Sequence, residues 1–120
     1  MADDPNCVFC KIIRGELPSK KVYEDDELFA FHDIHPLAPV HFMIVPKRHM
    51  ATLYEATPAD APAFGKLLTI AGRLAREQGL PDGFRTIINT GYIGRQDVMH
   101  VHVHILGGPE QLGLMIARGA

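Results

Sequence analysis

The sequence predicts an α+β fold: an antiparallel sheet of about five strands, one long helix packed on it, and a short N-terminal helix. Three observations predict it. Short apolar runs, bounded by Pro- and Gly-bearing turns, recur in both halves of the chain. A single central segment carries a sustained helical apolar stripe. No repeat, low-complexity tract or linker divides the 120 residues, a length that suits one domain, 1–120, with one core.

The elements follow in order. From Asn6 to Arg14, Val8, Phe9, Ile12 and Ile13 recur at three- and four-residue intervals, which predicts a short helix closed by Gly15 and Pro18. Lys21 to Tyr23 and Leu28 to Asp33 read as strands around the acidic turn Glu24-Asp25-Asp26-Glu27. Ile34 to Pro39 carries two prolines and reads as a loop. His41 to Val45 is an apolar strand ended by Pro46, with a helical turn expected after His49. The long helix is expected from Pro58 to Gln78. Thr57 is its N-cap, Pro58 its first residue and Asp60 the closing member of a capping box. Phe64, Leu67, Leu68, Ala71, Leu74 and Ala75 make its apolar stripe, and Gly79 stops it. Phe84 to Asn89 and Met99 to Leu106 read as the last strands, flanking a loop from Thr90 to Val98. The tail beyond Gly107-Gly108-Pro109 has no period and reads as partner-facing.

Composition narrows the function classes. The apolar fraction of 47% and charged fraction of 22% are ordinary for a soluble domain. A net charge of −2 argues against nucleic acid as a partner. No apolar run approaches the roughly 20 residues that span a bilayer. The N-terminus shows neither a basic nor an apolar leader region, so the cytoplasm is the expected location, with no membrane partner.

The densest chemical signal is Met99-His100-Val101-His102-Val103-His104-Ile105-Leu106. Side chains on a strand alternate faces, so His100, His102 and His104 are expected in one row, roughly 7 Å apart. Val101, Val103 and Ile105 then face the core. Such a row can be a solvated face, a His-x-His metal site, or a nucleophile with its helpers. A neutral imidazole is a good nucleophile near pH 7 when its other nitrogen is held by a hydrogen bond. A protonated neighbour could neutralise phosphoryl oxygens.

This row, with the Gly107-Gly108 that follows, resembles the His-φ-His-φ-His-φ-φ signature of the histidine-triad (HIT) family, and specifically its HINT branch of purine nucleoside phosphoramidases. The likeness extends through Phe9 to Glu16, Tyr23 to Asp26, Ala30 to Ile34, Ala38 to His41 and Val45 to His49. It implies a hydrolase of P–N bonds that releases a purine nucleoside 5′-monophosphate, AMP or GMP, with no cofactor needed for catalysis. It implies His102 as nucleophile, His104 at the phosphate, and His100 and His41 as supports. Asp33 would bind the ribose hydroxyls; the alternative is that it caps the loop that follows. Val8, Phe9, Ile12, Phe31 and Ile34 would form the slot for the base; Phe9, Ile12 and Phe31 could equally be core. Asn89, Gln96 and Asp97 would surround the phosphate and leaving group. The family's well-studied members have glycine where this chain has Arg95, and often serine where it has Asp97. The resemblance also implies a homodimer whose sheets join across a two-fold axis. A dinucleoside polyphosphate hydrolase of the same superfamily, a triad-bound zinc hydrolase, and a nucleotide-binding protein with little turnover are the alternatives.

Cys7 and Cys10 form a C-x-x-C, too few cysteines for a four-thiolate site. They are either buried thiols or half of a structural zinc site. By resemblance to zinc-holding members of the superfamily, the other ligands would be His49 and His100.

Overall fold

A computed structural model describes residues 3–116; the first two and last four residues, including the end of the C-terminal tail, lie outside the described residues. The fold is the expected α+β arrangement. The elements are α1 (Val8–Ile13), β1 (Lys21–Glu24), β2 (Leu28–His32), β3 (Val40–Pro46), α2 (Ala61–Glu77), β4 (Arg85–Ile87) and β5 (Val103–Gly107), with 3₁₀ turns at Leu53–Glu55 and Pro58–Asp60. All five strands join one antiparallel sheet in the order β1-β2-β3-β5-β4. Among the described residues no helix is long and apolar enough to cross a membrane.

Alternation along the strands sorts the core into two layers. Leu28, Ala30, Phe42, Ile44, Val103 and Ile105 face α2 and pack on its Leu67, Ala71, Leu74 and Ala75. Fully burying one such leucine stabilises the fold by about 2–3 kcal/mol. Phe29, Phe31, Met43 and Val45 point the other way and are covered by Phe9, Ile12 and Ile13 of α1. In β5, His104 pairs with Met43 across the ladder, so it shares the α1 face. The sheet therefore has a packing face under α2 and a working face under α1.

Helix ends are set by local chemistry. Thr57 and Asp60 form the expected capping box: the Thr57 hydroxyl accepts from Ala59 N–H at 3.3 Å and Asp60 accepts from Thr57 N–H at 2.9 Å. Asp60 does a second task, taking a bidentate bond from Arg48 at 2.8 and 2.9 Å. At the far end Gly79 adopts φ +95°, Leu80 N–H reaches Ala75 O at 2.9 Å, and Gly79 N–H reaches Arg76 O at 3.1 Å. This is a Schellman closure, and Gly15 (φ +82°) ends α1 the same way.

Four expectations are corrected. The long helix begins as a 3₁₀ turn at Pro58–Asp60, and α2 proper starts at Ala61. Leu68 lies outside the buried stripe at 57% exposure, because it stands about 100° around the helix from Leu67. The fourth strand is only Arg85–Ile87, not Phe84–Asn89. The last strand starts at Val103, not Met99. Its pairing with β3 ends at Ile44↔Val103, and continued register would oppose Val101 to Pro46. Proline has no N–H to donate, and Val101 N–H bonds instead to Met50 O at 2.9 Å.

Candidate active site

The three histidines are thus carried by two kinds of backbone. His104 sits in the ladder of β5, while His100 and His102 sit in the ordered segment leading into it. The expected row of three is therefore corrected: the row is His102, His104 and His41, with His102 and His104 centroids 4.9 Å apart and His104 and His41 5.1 Å apart, while the His100 ring turns to His49, 5.0 Å away. It is not a solvated face: His100 is fully buried and His102 is 2% exposed. Phe9 packs edge-on against both of them and against Phe31.

Hydrogen bonds fix where the protons are. The carbonyl of His100 lies 2.7 Å from His102 Nδ1 and can only accept, so Nδ1 carries a proton. In the neutral ring the lone pair is then on Nε2, the atom that would attack. Asp97 Oδ1 lies 3.2 Å from that nitrogen; a carboxylate oxygen only accepts, so this contact is a hydrogen bond only when Nε2 carries a proton, and it must give way before Nε2 attacks. The same oxygen accepts from Val98 N–H at 2.9 Å.

A second chain runs from the other end. Leu37 N–H donates to His41 Nδ1 at 3.1 Å, so the His41 proton is on Nε2. That nitrogen is 2.9 Å from His104 Nδ1, which must accept. The proton of neutral His104 is therefore on Nε2, free to donate to an incoming oxygen. Burial pushes the His104 pKa down to about 4, helped by the neighbouring His102 and His41. Burial also lowers His41, against the pull of Asp33. Neutral His104 is thus a donor through Nε2.

Asp33 caps the loop that follows it, as one of its two readings expected. Its Oδ1 accepts from His35 N–H at 2.8 Å and caps the loop, while Oδ2 lies 3.5 Å from His41 Nε2. Contacts therefore run in the order Asp33, His41, His104, His102, Asp97.

The base-slot residues divide. Phe9 and Phe31 are buried at 5% and 4%, part of the core layer under α1. Val8 (47% exposed) and Ile34 (83% exposed) present apolar surface to solvent, and Ile12 is half-buried. Asn89 is half-buried just after β4. Gln96 has its side chain engaged by backbone: it accepts from Gly91 N–H at 2.9 Å and donates to Ala51 O at 2.6 Å and Val98 O at 2.9 Å. It bolts the Thr90–Val98 loop in place and so sets the position of Asp97. Arg95 takes φ +60° within this loop and is exposed.

Cys7, Cys10, His49 and His100 converge. Their ligand atoms all lie within 4.8 Å of one another. His100 Nδ1 is 3.4 Å from Cys7 Sγ, 3.6 Å from Cys10 Sγ and 3.2 Å from His49 Nδ1. Tetrahedral zinc bonds to nitrogen and sulfur imply ligand separations of about 3.3–3.8 Å, so the set fits. The outer nitrogens are also held: His100 Nε2 donates to Pro46 O at 2.7 Å, and His49 Nε2 lies 3.5 Å from Asp4 Oδ2. Both Nδ1 lone pairs then face inward. Burial raises the Cys10 thiol to about 11 and lowers His100 to about 4. A cation in the middle would reverse the thiol shift. His100 thus works on two sides, its ring in this cluster and its carbonyl under His102.

Sequence reasoning had not singled out Asp4, or the carbonyls of His100, Pro46 and Met50 as partners. Backbone partners leave no trace in residue identity, and Asp4 is an ordinary surface residue in one dimension.

This fold, with His102 and His104 side by side next to His41 and with His102 Nδ1 held by the His100 carbonyl, is that of a histidine-triad protein. The chain belongs to the HIT family: the HIT domain model matches residues 14–111. Among curated relatives it is 47% identical to Protein HitA of Neisseria gonorrhoeae, covering 87% of this chain and 97% of that protein. It is 43% identical to the purine nucleoside phosphoramidase of Escherichia coli, covering 92% of each. Among solved structures, a HIT family hydrolase from Clostridium thermocellum superposes with TM-score 0.88 at 40% identity, covering 94% of this chain and 99% of that one. A HIT family hydrolase from Legionella pneumophila gives 0.83 at 42% identity, covering 88% and 95%.

Proposed function

We propose that this HIT-family hydrolase cleaves the P–N bond of purine nucleoside 5′-phosphoramidates, and in acyl-adenylate-like compounds the corresponding P–O bond, through a nucleotidyl group carried on His102. The observation that carries the reading is the fixed tautomer of His102. Its Nδ1–H is committed to the His100 carbonyl at 2.7 Å, which leaves Nε2 as the nucleophile. Nε2 forms the bond to phosphorus as the P–N bond breaks; the electron pair stays on nitrogen, which takes up a proton and departs. Water then cleaves the Nε2–P bond and releases AMP or GMP. His104 Nε2–H donates to a phosphoryl oxygen, and its orientation is held by the His41–Leu37 chain. Asp33 accepts from the ribose through Oδ2, the oxygen beside His41, and Val8, Ile12 and Ile34 flank the base over the Phe9 and Phe31 floor.

The chemical step in this proposal uses imidazoles and needs no cofactor. Zinc on Cys7, Cys10, His49 and His100 would be structural, tying the start of α1 to the segment that carries His102. We assign the chain to the cytoplasm and to a homodimer. Two features favour the dimer: β4 is an edge strand, and beside the sheet's end Leu114, Met115 and Ile116 are 63–88% exposed.

The test compares adenosine 5′-phosphoramidate with diadenosine polyphosphates as substrates for the wild type and His102→Asn. Release of AMP from the phosphoramidate, lost in the variant, supports the reading. Turnover of the polyphosphates alone supports the rival hydrolase, and AMP binding without turnover of either supports a binding protein.

A further inference from the structure

We infer that Asp97 and Asp4 select the leaving group, so that the amine released from phosphorus carries a positive charge. This rests on the proposed P–N cleavage and names its substrate class more closely.

The contact order along the site is Asp33, His41, His104, His102, Asp97. With the ribose at the Asp33 end and phosphorus at His102, the leaving group lies toward the Asp97 end. A cleft of about 330 Å³ opens there, between the N-terminal segment and the Thr90–Val98 loop. Its wall is made by Asp4, Asn6, Val8, Asp97, Val98 and Met99, with Cys7 and His49 beneath. Neither a lysine nor an arginine lines it, and Arg95, on the same loop, does not reach it.

The two carboxylates are held differently. Asp4 is tied by Asn6 N–H at 2.8 Å and by His49. Asp97 has its backbone fixed by the neighbouring Gln96 bonds, yet its side chain is 73% exposed. Its Oδ1 stands 3.2 Å from His102 Nε2, where an arriving phosphorus must come. It must turn aside for substrate, and it lines the cleft. Among the described residues Asp97 has no lysine or arginine partner, so a bound substrate meets an uncompensated carboxylate. An ammonium on the departing amine gains from this field. A carboxylate or a second phosphate on the leaving group is repelled.

The experiment uses the full chain and three adenosine phosphoramidates whose amines match in size and basicity at the reacting nitrogen. They differ at the far end: neutral, ammonium or carboxylate. The wild type is expected to show kcat/KM at least tenfold higher for the ammonium than for the carboxylate compound. Asp97→Asn should shrink that ratio about tenfold, Asp97→Glu should keep it, and raising the salt concentration should shrink it in the wild type. A merely structural role would change all three substrates together. Equal ratios in wild type and Asp97→Asn, or a wild-type preference for the carboxylate, would overturn the inference. If Asp97→Asn does not fold, the wild-type ratio and its salt dependence decide alone. No turnover of the neutral compound would overturn the phosphoramidase reading itself, and this assignment with it.

Discussion

At the scale of the residue, function turns on which nitrogen holds a proton. His102→Asn removes the nucleophile but leaves Asp33 and the apolar rim intact. It should lower turnover by at least about 10³-fold while AMP still binds within a few-fold of wild type by calorimetry. In the proposed mechanism His41 acts through His104, whose Nδ1 it holds at 2.9 Å. His41→Ala should therefore cost about 10–100-fold in kcat, with a smaller change in KM, in steady-state assays. His104 also marks the stability curve. Its folded pKa is depressed to about 4, against an unfolded value near 6.5. Between those values the unfolded chain binds more protons than the native one, so stability is full above about pH 6.5 and is lost as pH falls toward 4. Thermal melts should show this acid slope shallower in His104→Asn than in wild type, by about 1–2 kcal/mol after allowing for the ring's partial exposure.

At the scale of the element, the working parts are held at α1 and at the segment before β5. The Cys7, Cys10, His49 and His100 cluster links them. With zinc bound there, chelation or Cys10→Ala should lower the melting temperature by several degrees. Initial turnover before unfolding should be nearly unchanged, which a chelator-jump assay separates from a catalytic metal. Legibility in the sequence follows the same division. The α2 stop, the capping box and the apolar stripe were readable because cap, period and glycine are local signals, as at Thr57, Asp60 and Gly79. The His triad was readable by spacing and by likeness to a family. The true start of β5 was not, because it depends on what stands opposite: Pro46 denies the ladder an N–H, 55 positions away from Val101 in sequence. Gln96 was expected at the phosphate, and its clamp on Ala51, Gly91 and Val98 is a tertiary fact that no local pattern carries. Phe9 and Phe31 matched base-slot positions, yet apolar type alone does not separate a rim from a floor; α1 packing made them floor.

At the scale of the whole molecule, a sheet sandwiched between one long and one short helix divides labour by face. The α2 face supplies cohesion: Leu74→Ala there should cost about 2–5 kcal/mol in denaturant unfolding with kcat unchanged in the molecules that remain folded. The α1 face holds His104 and, in the proposed mechanism, the chemistry. The edge strand β4 and the exposed apolar end of the described tail fit a second copy, and light scattering should give a mass near twice 13.3 kDa. The central claim remains a bond between His102 Nε2 and phosphorus, and rapid quenching of the wild type with an adenosine phosphoramidate, followed by peptide mass spectrometry at alkaline pH, tests it most directly. The account predicts one adenylyl adduct, located on His102 and absent from His102→Asn; an adduct on another residue, or full turnover by His102→Asn, would contradict it.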